Sequence, residues 1–198
     1  MLTFTGAHVT KEFGAPSIRD IAIQSMRIVR FSGAGRIFWP IGMHMMLVAD
    51  LCATPDDPWL EVFGLLHDAA EVCVADVPVP MKTDAAREIE NNIQSRIHVL
   101  LGVPCPTAAQ KTAVKAADRR AAFAEGAIGC GPECFKDTQT GFAHDLAAEI
   151  ILTEYLRGYQ ACGAIDEDGR YPREYEKRLR VALRKAQHSE RLYGGACG

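Results

Sequence analysis

Seven residues of this 198-residue chain have types and spacing that suit chemistry: His44, His67, Asp68, Glu71, Asp76, Lys82 and Asp118. In FGLLHDAAEV an imidazole and two carboxyls end an apolar run. If that run is one helix, His67 and Glu71, four apart, share a face and Asp68 flanks them. Burying such groups without a partner is costly, and a divalent cation is their natural partner. The alternative is a polar helix end that happens to be acidic. Asp76 follows five residues after Glu71, and Lys82 comes soon after. His44 lies inside GMHMMLVADL, where a lone histidine is ordinarily a satisfied core residue. Asp118 sits among alanines in VKAADRRAAF, which suits either an interior acid or an exposed one paired with Arg. Cys130 and Cys134 in CGPEC are the one close thiol pair, with no further soft ligands nearby.

The elements that must carry these residues read as helices. Residues 1–16 are irregular or a short strand pair. Ser17, with Asp20 three residues on, fits a capping box for a helix reaching Phe31. A second helix spans 41–53. Asp57 caps a third, with Pro58 in its first turn, running to about Val74. Val77-Pro78-Val79-Pro80 is expected to be extended, because each proline disfavours helix at the residue before it. Further helices are expected over 83–101, 107–126, 140–160 and 172–190, with Gly126, Gly129, Gly131 and Pro132 in a loop. The last helix alternates Lys and Arg with Glu, as a solvated face does. The expected fold is one all-α domain over residues 1–198, a bundle of six or seven helices with little sheet.

Composition bounds the rest. The chain is 48% hydrophobic and 24% charged with a net charge of −3, so no overall positive field would draw in duplex nucleic acid. Seven irregularly spaced cysteines do not form a secreted disulfide framework and suit reduced thiols. The opening residues lack a basic stretch followed by an apolar run, and no long apolar span occurs, so a cytoplasmic protein without membrane contact is expected.

The series His44, His67-Asp68, Asp118 resembles the HD-domain superfamily of phosphohydrolases. HDAAEVCVADVPVPMK resembles the H-D-A-x-E-x-x-x-x-D-x-P-x-P-x-K stretch of its small bacterial and phage members, which include 5'-deoxynucleotidases and enzymes hydrolysing deoxynucleoside triphosphates. VKAADRRAAFAEG is similar to their final motif, and the resemblance covers about residues 3–126. Arg30-Phe31 stands fourteen and thirteen residues before His44, where the deoxynucleotidases carry a nucleotide-contacting Arg-Trp pair. Met43 and Met45 flank the first His, where relatives usually carry a polar residue and a Ser.

The resemblance implies an HD-type helical domain with one divalent transition metal ion held by His44, His67, Asp68 and Asp118, with Asp145 a rival for the last place. Imidazole ligation favours Mn, Co, Fe, Ni or Zn over Mg. Glu71 and Asp76 are then the acid–base pair. Arg30, Arg36 and Lys82 would meet phosphate, and Phe31 and Trp39 would pack on sugar or base. The implied activity is release of phosphate from deoxynucleoside monophosphates, with dNTP triphosphohydrolysis as runner-up. A non-catalytic nucleotide-binding module and a helical nucleic-acid binder resting on Lys177–Lys185 are the readings of other classes. The implied partners are a small deoxynucleotide and, as in relatives, further copies of the chain in a dimer or larger homo-oligomer.

Overall fold

The computed structural model describes residues 1–129, 146–162 and 170–193. Their regular structure is helical: α1 (Ile18–Ser25), α2 (Ile41–Cys52), α3 (Pro58–Leu66), the single turn α4 (Glu71–Val74), α5 (Asp84–Leu101), α6 (Ala108–Gly129), α7 (Leu146–Cys162) and α8 (Arg170–Tyr193). Pairing among the described residues is limited to isolated bridges, such as Leu2 with His8. The all-α bundle is as expected. No helix among the described residues is long and apolar enough to cross a membrane.

α2 is the axis of the bundle. Every residue from Ile41 to Ala49 is buried, the pattern of a helix covered on all sides, and α1, α3, α6, α7 and α8 all pack on it. Met43, Met45 and Met46 are at most 1% exposed, so the Met-rich face around His44 is consumed inside the chain. Gly64 lets α3 lie directly on α2, because a Cβ there would fall 2.6 Å from Ala49 Cα. Replacing that hydrogen by a methyl group would push apart the two helices that carry His44 and His67.

Several boundaries differ from the sequence reading. The Ser17–Asp20 capping box is present, but α1 stops at Ser25 instead of Phe31. Beyond it the chain pairs with residues 39–41: Arg30 N–H donates to the Trp39 carbonyl and Ile41 N–H to the Ile28 carbonyl, both at 2.9 Å. Phe31, Ser32 and Gly33 then take positive φ values of 57°, 52° and 76°. The first two are in a region that costs residues bearing a Cβ about 1–2 kcal/mol each.

The expected single helix from Trp59 to Val74 is broken between α3 and α4. Gln94 of α5 is the wedge. Its Oε1 accepts the Ala70 N–H at 3.1 Å and its Nε2 donates to the Leu66 carbonyl at 2.7 Å. Those two backbone groups would bond each other in a continuous helix. The turn tightens instead to i→i+3 bonds, Ala69 to Leu66 and Glu71 to Asp68. The expected i,i+4 stacking of His67 on Glu71 is therefore replaced by separate placements.

Val79–Met81 forms one 3₁₀ turn where extended chain was expected. The turn closes through Met81 N–H on the Pro78 carbonyl at 2.8 Å, a pattern that needs no N–H from Pro80. α6 runs through Gly126 to Gly129 because the 35–37 segment packs on its end, Arg36 N–H reaching the Gly129 carbonyl at 2.7 Å. α7 continues past Gly158 to Cys162. Gly131, Pro132, the Cys130/Cys134 pair, Asp145 and the expected start of α7 at 140 lie outside the described residues.

Candidate metal centre

α2, α3 and α6 bring His44, His67, Asp68 and Asp118 to one point. The ligand atoms of His44, His67 and Asp118 all lie within 4.8 Å of one another. His44 Nε2 is 3.1 Å from His67 Nε2 and 3.3 Å from an Asp118 carboxylate oxygen. Asp68 joins through Oδ2, 3.2 Å from His67 Nε2 and 3.6 Å from His44 Nε2.

The imidazoles are fixed from behind. His44 Nδ1 donates to Glu125 Oε1 and His67 Nδ1 donates to the Gly64 carbonyl, each at 2.8 Å. With a hydrogen on each Nδ1, the two Nε2 atoms face each other with carboxylates alongside, and each Nε2 can carry either a proton or a metal bond. Such an arrangement favours positive charge there, as ring protons or as a bound cation. Metal–ligand bonds of about 2.0–2.2 Å set neighbouring donor atoms about 3 Å apart, close to the spacings here. Two nitrogens and two carboxylate oxygens, with an outer layer of hydrogen bonds holding the rings, form a donor set that fits a divalent transition metal ion.

Electrostatics points the same way. Burial and Arg30 work against a charged His44, yet Glu125 and Asp118 outweigh them and raise its pKa. Burial also opposes a charged His67, and Asp68 reverses the balance. Burial would raise the Asp68 and Asp118 carboxyls, but the imidazoles hold both well below the usual range. All four shifts favour positive charge at the centre.

Glu125 was not singled out by its sequence context. It is 1% exposed, and its second oxygen lies 3.0 Å from Arg30 Nε, though the N–H is not directed at it. Burial would raise its carboxyl, and His44, Arg30 and the Trp39 side chain keep it low. One signal was available: Glu125 follows Asp118 by seven residues, two helical turns, and so shares its face. Gln94 and His98 of α5, bonded to each other at 3.0 Å, had no such signal.

The other expected site residues divide into two groups. Arg30 is at the centre's edge, its side chain 11% exposed and Nη1 3.7 Å from Asp68 Oδ2. Its guanidinium lies 5.4 Å from the Phe31 ring centre. Trp39 is 2% exposed and packs in the core. Arg36 has an exposed side chain and bonds α6 through its backbone. Lys82 sits 3.5 Å from Glu71 Oε1 and 2.5 Å from Glu90 Oε2. Glu71 is buried, and its Oε2 has no hydrogen-bond partner among the described residues. Burial and the nearby Asp68 and Asp76 carboxylates push its carboxyl up to about 9. Asp76 is half-buried after Ala75, whose φ is 69°, and its charge is felt by both Arg30 and Glu71.

A cavity of about 470 Å³ opens onto the centre between α5 and α6. Its wall includes His67, Asp68 and Asp118.

No family model matches the chain. It is 30% identical over 111 residues to an uncharacterized protein of Rhodobacter capsulatus, a match covering 51% of this chain and 56% of that protein. It is 32% identical over 103 residues to the uncharacterized protein YfdR of Escherichia coli, covering 51% and 54%. The chain thus spans about half the length of the curated relatives it matches.

Proposed function

We propose that this protein is a metal-dependent phosphohydrolase acting on deoxynucleotides, releasing phosphate from deoxynucleoside monophosphates. The carrying observation is the pair of opposed imidazole nitrogens, His44 Nε2 to His67 Nε2 at 3.1 Å, flanked by Asp68 and Asp118. A clip of that kind serves structure as well as chemistry. The neighbouring Glu71, with one buried oxygen unpartnered, and Asp76 favour chemistry.

His44, His67, Asp68 and Asp118 would hold the ion. When bound, it supplies a Lewis acid for a phosphoryl oxygen and lowers the pKa of water. Glu125 and the Gly64 carbonyl keep the two imidazoles aimed inward. Glu71 and Asp76 are the carboxyl pair that orients water and passes a proton to or from the leaving oxygen. Lys82 holds the Glu71 side chain through Oε1, and the buried Oε2 is left without a partner among the described residues. Arg30, with Phe31 beside it, balances the acids at the edge of the centre and would meet a phosphate oxygen there.

The test is a panel of dNMPs and dNTPs incubated with the Mn- or Co-loaded protein, with products separated by chromatography. Deoxynucleoside plus phosphate from dNMPs is expected. Turnover of dNTPs alone would replace the leading reading by triphosphohydrolysis. No product from any substrate would leave the site as a metal clip.

A further inference from the structure

One face of α6 carries a row of side chains of which the resemblance had assigned a role to Asp118 alone. Lys111, Val114, Lys115 and Asp118 of α6 all line the cavity beside the centre. Their spacing, i, i+3, i+4 and i+7, is that of one helix face. Lys115 Nζ is 2.6 Å from Asp118 Oδ2, while His44 contacts the same carboxylate through Oδ1. One oxygen of Asp118 thus serves the centre and the other serves Lys115. The lysine ammonium is a single carboxylate away from the ion's position, and its side chain is 64% exposed and reachable.

Charge identifies the ligand. The charged residues of the cavity wall are Asp68, Asp118, Lys111 and Lys115. A divalent ion would offset the two acids, so that with the two lysines the wall would carry a net positive charge. A phosphomonoester carries close to two negative charges at neutral pH. The rest of the wall suits the organic part: Phe63 and Val114 present apolar surface, and the volume, about 470 Å³, is within the range of small-ligand sites.

We propose that Lys115, assisted by Lys111 one turn away, binds the phosphate of a phosphomonoester whose organic group lies against Phe63 and Val114 in the α5–α6 cavity. This rests on the phosphohydrolase reading for its substrate class, but its test does not require turnover.

Inorganic phosphate is titrated calorimetrically into Mn-loaded wild type, K115Q, K115R and K111Q, with Mn affinity measured separately for each. K115Q is expected to weaken phosphate about tenfold or more, the scale of one charge-assisted hydrogen bond, and to leave Mn affinity within about twofold. K115R should retain most of the affinity, and K111Q should lose about two- to fourfold, as a more distant charge. Phosphate affinity unchanged in K115Q would overturn the proposal. So would parallel loss of Mn and phosphate, which would make Lys115 a support for Asp118 alone. Wild type that binds phosphate through Lys115 yet turns over no dNMP would keep this site and remove the phosphohydrolase reading.

Discussion

α2 and α3 each contribute to two polar networks, and the two are built on opposite principles. On the α7–α8 side, Arg178 is surrounded by acceptors. Nη2 meets Asp50 at 2.7 Å and Nε meets Glu61 at 2.9 Å. Nη1 reaches Tyr155 Oη at 3.2 Å and the Met46 carbonyl at 3.4 Å. Tyr155 in turn donates to Asp50 at 2.5 Å. Donors meet acceptors throughout, and four helices are bolted together. On the α6 side, two imidazoles and two carboxylates converge, with Arg30 as the cation at their edge. The first network is complete as built. The second gathers imidazole nitrogens and carboxylates at one point, where a metal ion can take the place of ring protons, and that is how it differs from a structural ion pair of similar burial.

The sharpest way to break this contrast is to remove one member of each. Asp68→Ala should abolish stoichiometric binding of Mn or Co, measured by elemental analysis, and with it any phosphate release. Circular dichroism should remain that of the folded protein. Metal bound at full stoichiometry would show that this cluster is not the binding site. Glu71→Gln should keep the metal and cut turnover by about 10²–10⁴-fold, the range for a positioned acid or base. Loss of metal content in that variant would move Glu71 into the ligand set. Arg178→Met should do the reverse. It strands Asp50 and Glu61 and should cost about 3–5 kcal/mol in denaturant unfolding, while metal stoichiometry of the folded protein is unchanged. A fully stable Arg178→Met protein would mean that the two networks are not as different as their geometry implies.

The sequence made the helices legible because α2, α5 and α6 have strong apolar patterning and clear caps or breakers. Thr83 and Gly102 bound α5 as expected, Gly102 with φ of 63°. It could not show the break at residues 67–70. That break is made by Gln94, 24 residues from Ala70, whose amide substitutes for a backbone bond. A long-range wedge leaves no mark on local periodicity. The same limit applies to α1, shortened because residues 28–30 pair with 39–41. The basic character of α8 was read as a solvated face, which holds for Arg180 paired with Glu176. Arg178, two positions away, points inward, and charge pattern alone does not separate the two. At the centre, the convergence of His44, His67, Asp68 and Asp118 follows the order of the motifs. Arg30 lies at the edge of the centre as an ion-pair partner of Asp68 and Glu125, while Trp39 is a ring packed in the core.

Glu125 offers the finest test of the contrast, because it belongs to the centre without touching the ion's position. It is buried, it fixes the His44 ring through Nδ1 at 2.8 Å, and it faces Arg30 across 3.0 Å. Glu125→Gln is nearly isosteric and keeps an oxygen for the Nδ1 hydrogen, but removes the charge that makes His44 a better donor to a cation. Outer carboxylates of this kind typically alter metal affinity by about 10–100-fold. A loss in that range, with full stoichiometry still reached at high metal, is the expected result in a competition titration with a chelating dye. An affinity within about twofold of wild type would mean that Glu125 serves the fold alone, by compensating Arg30. Its network would then resemble that of Arg178, with the metal centre beginning only at the four converging side chains.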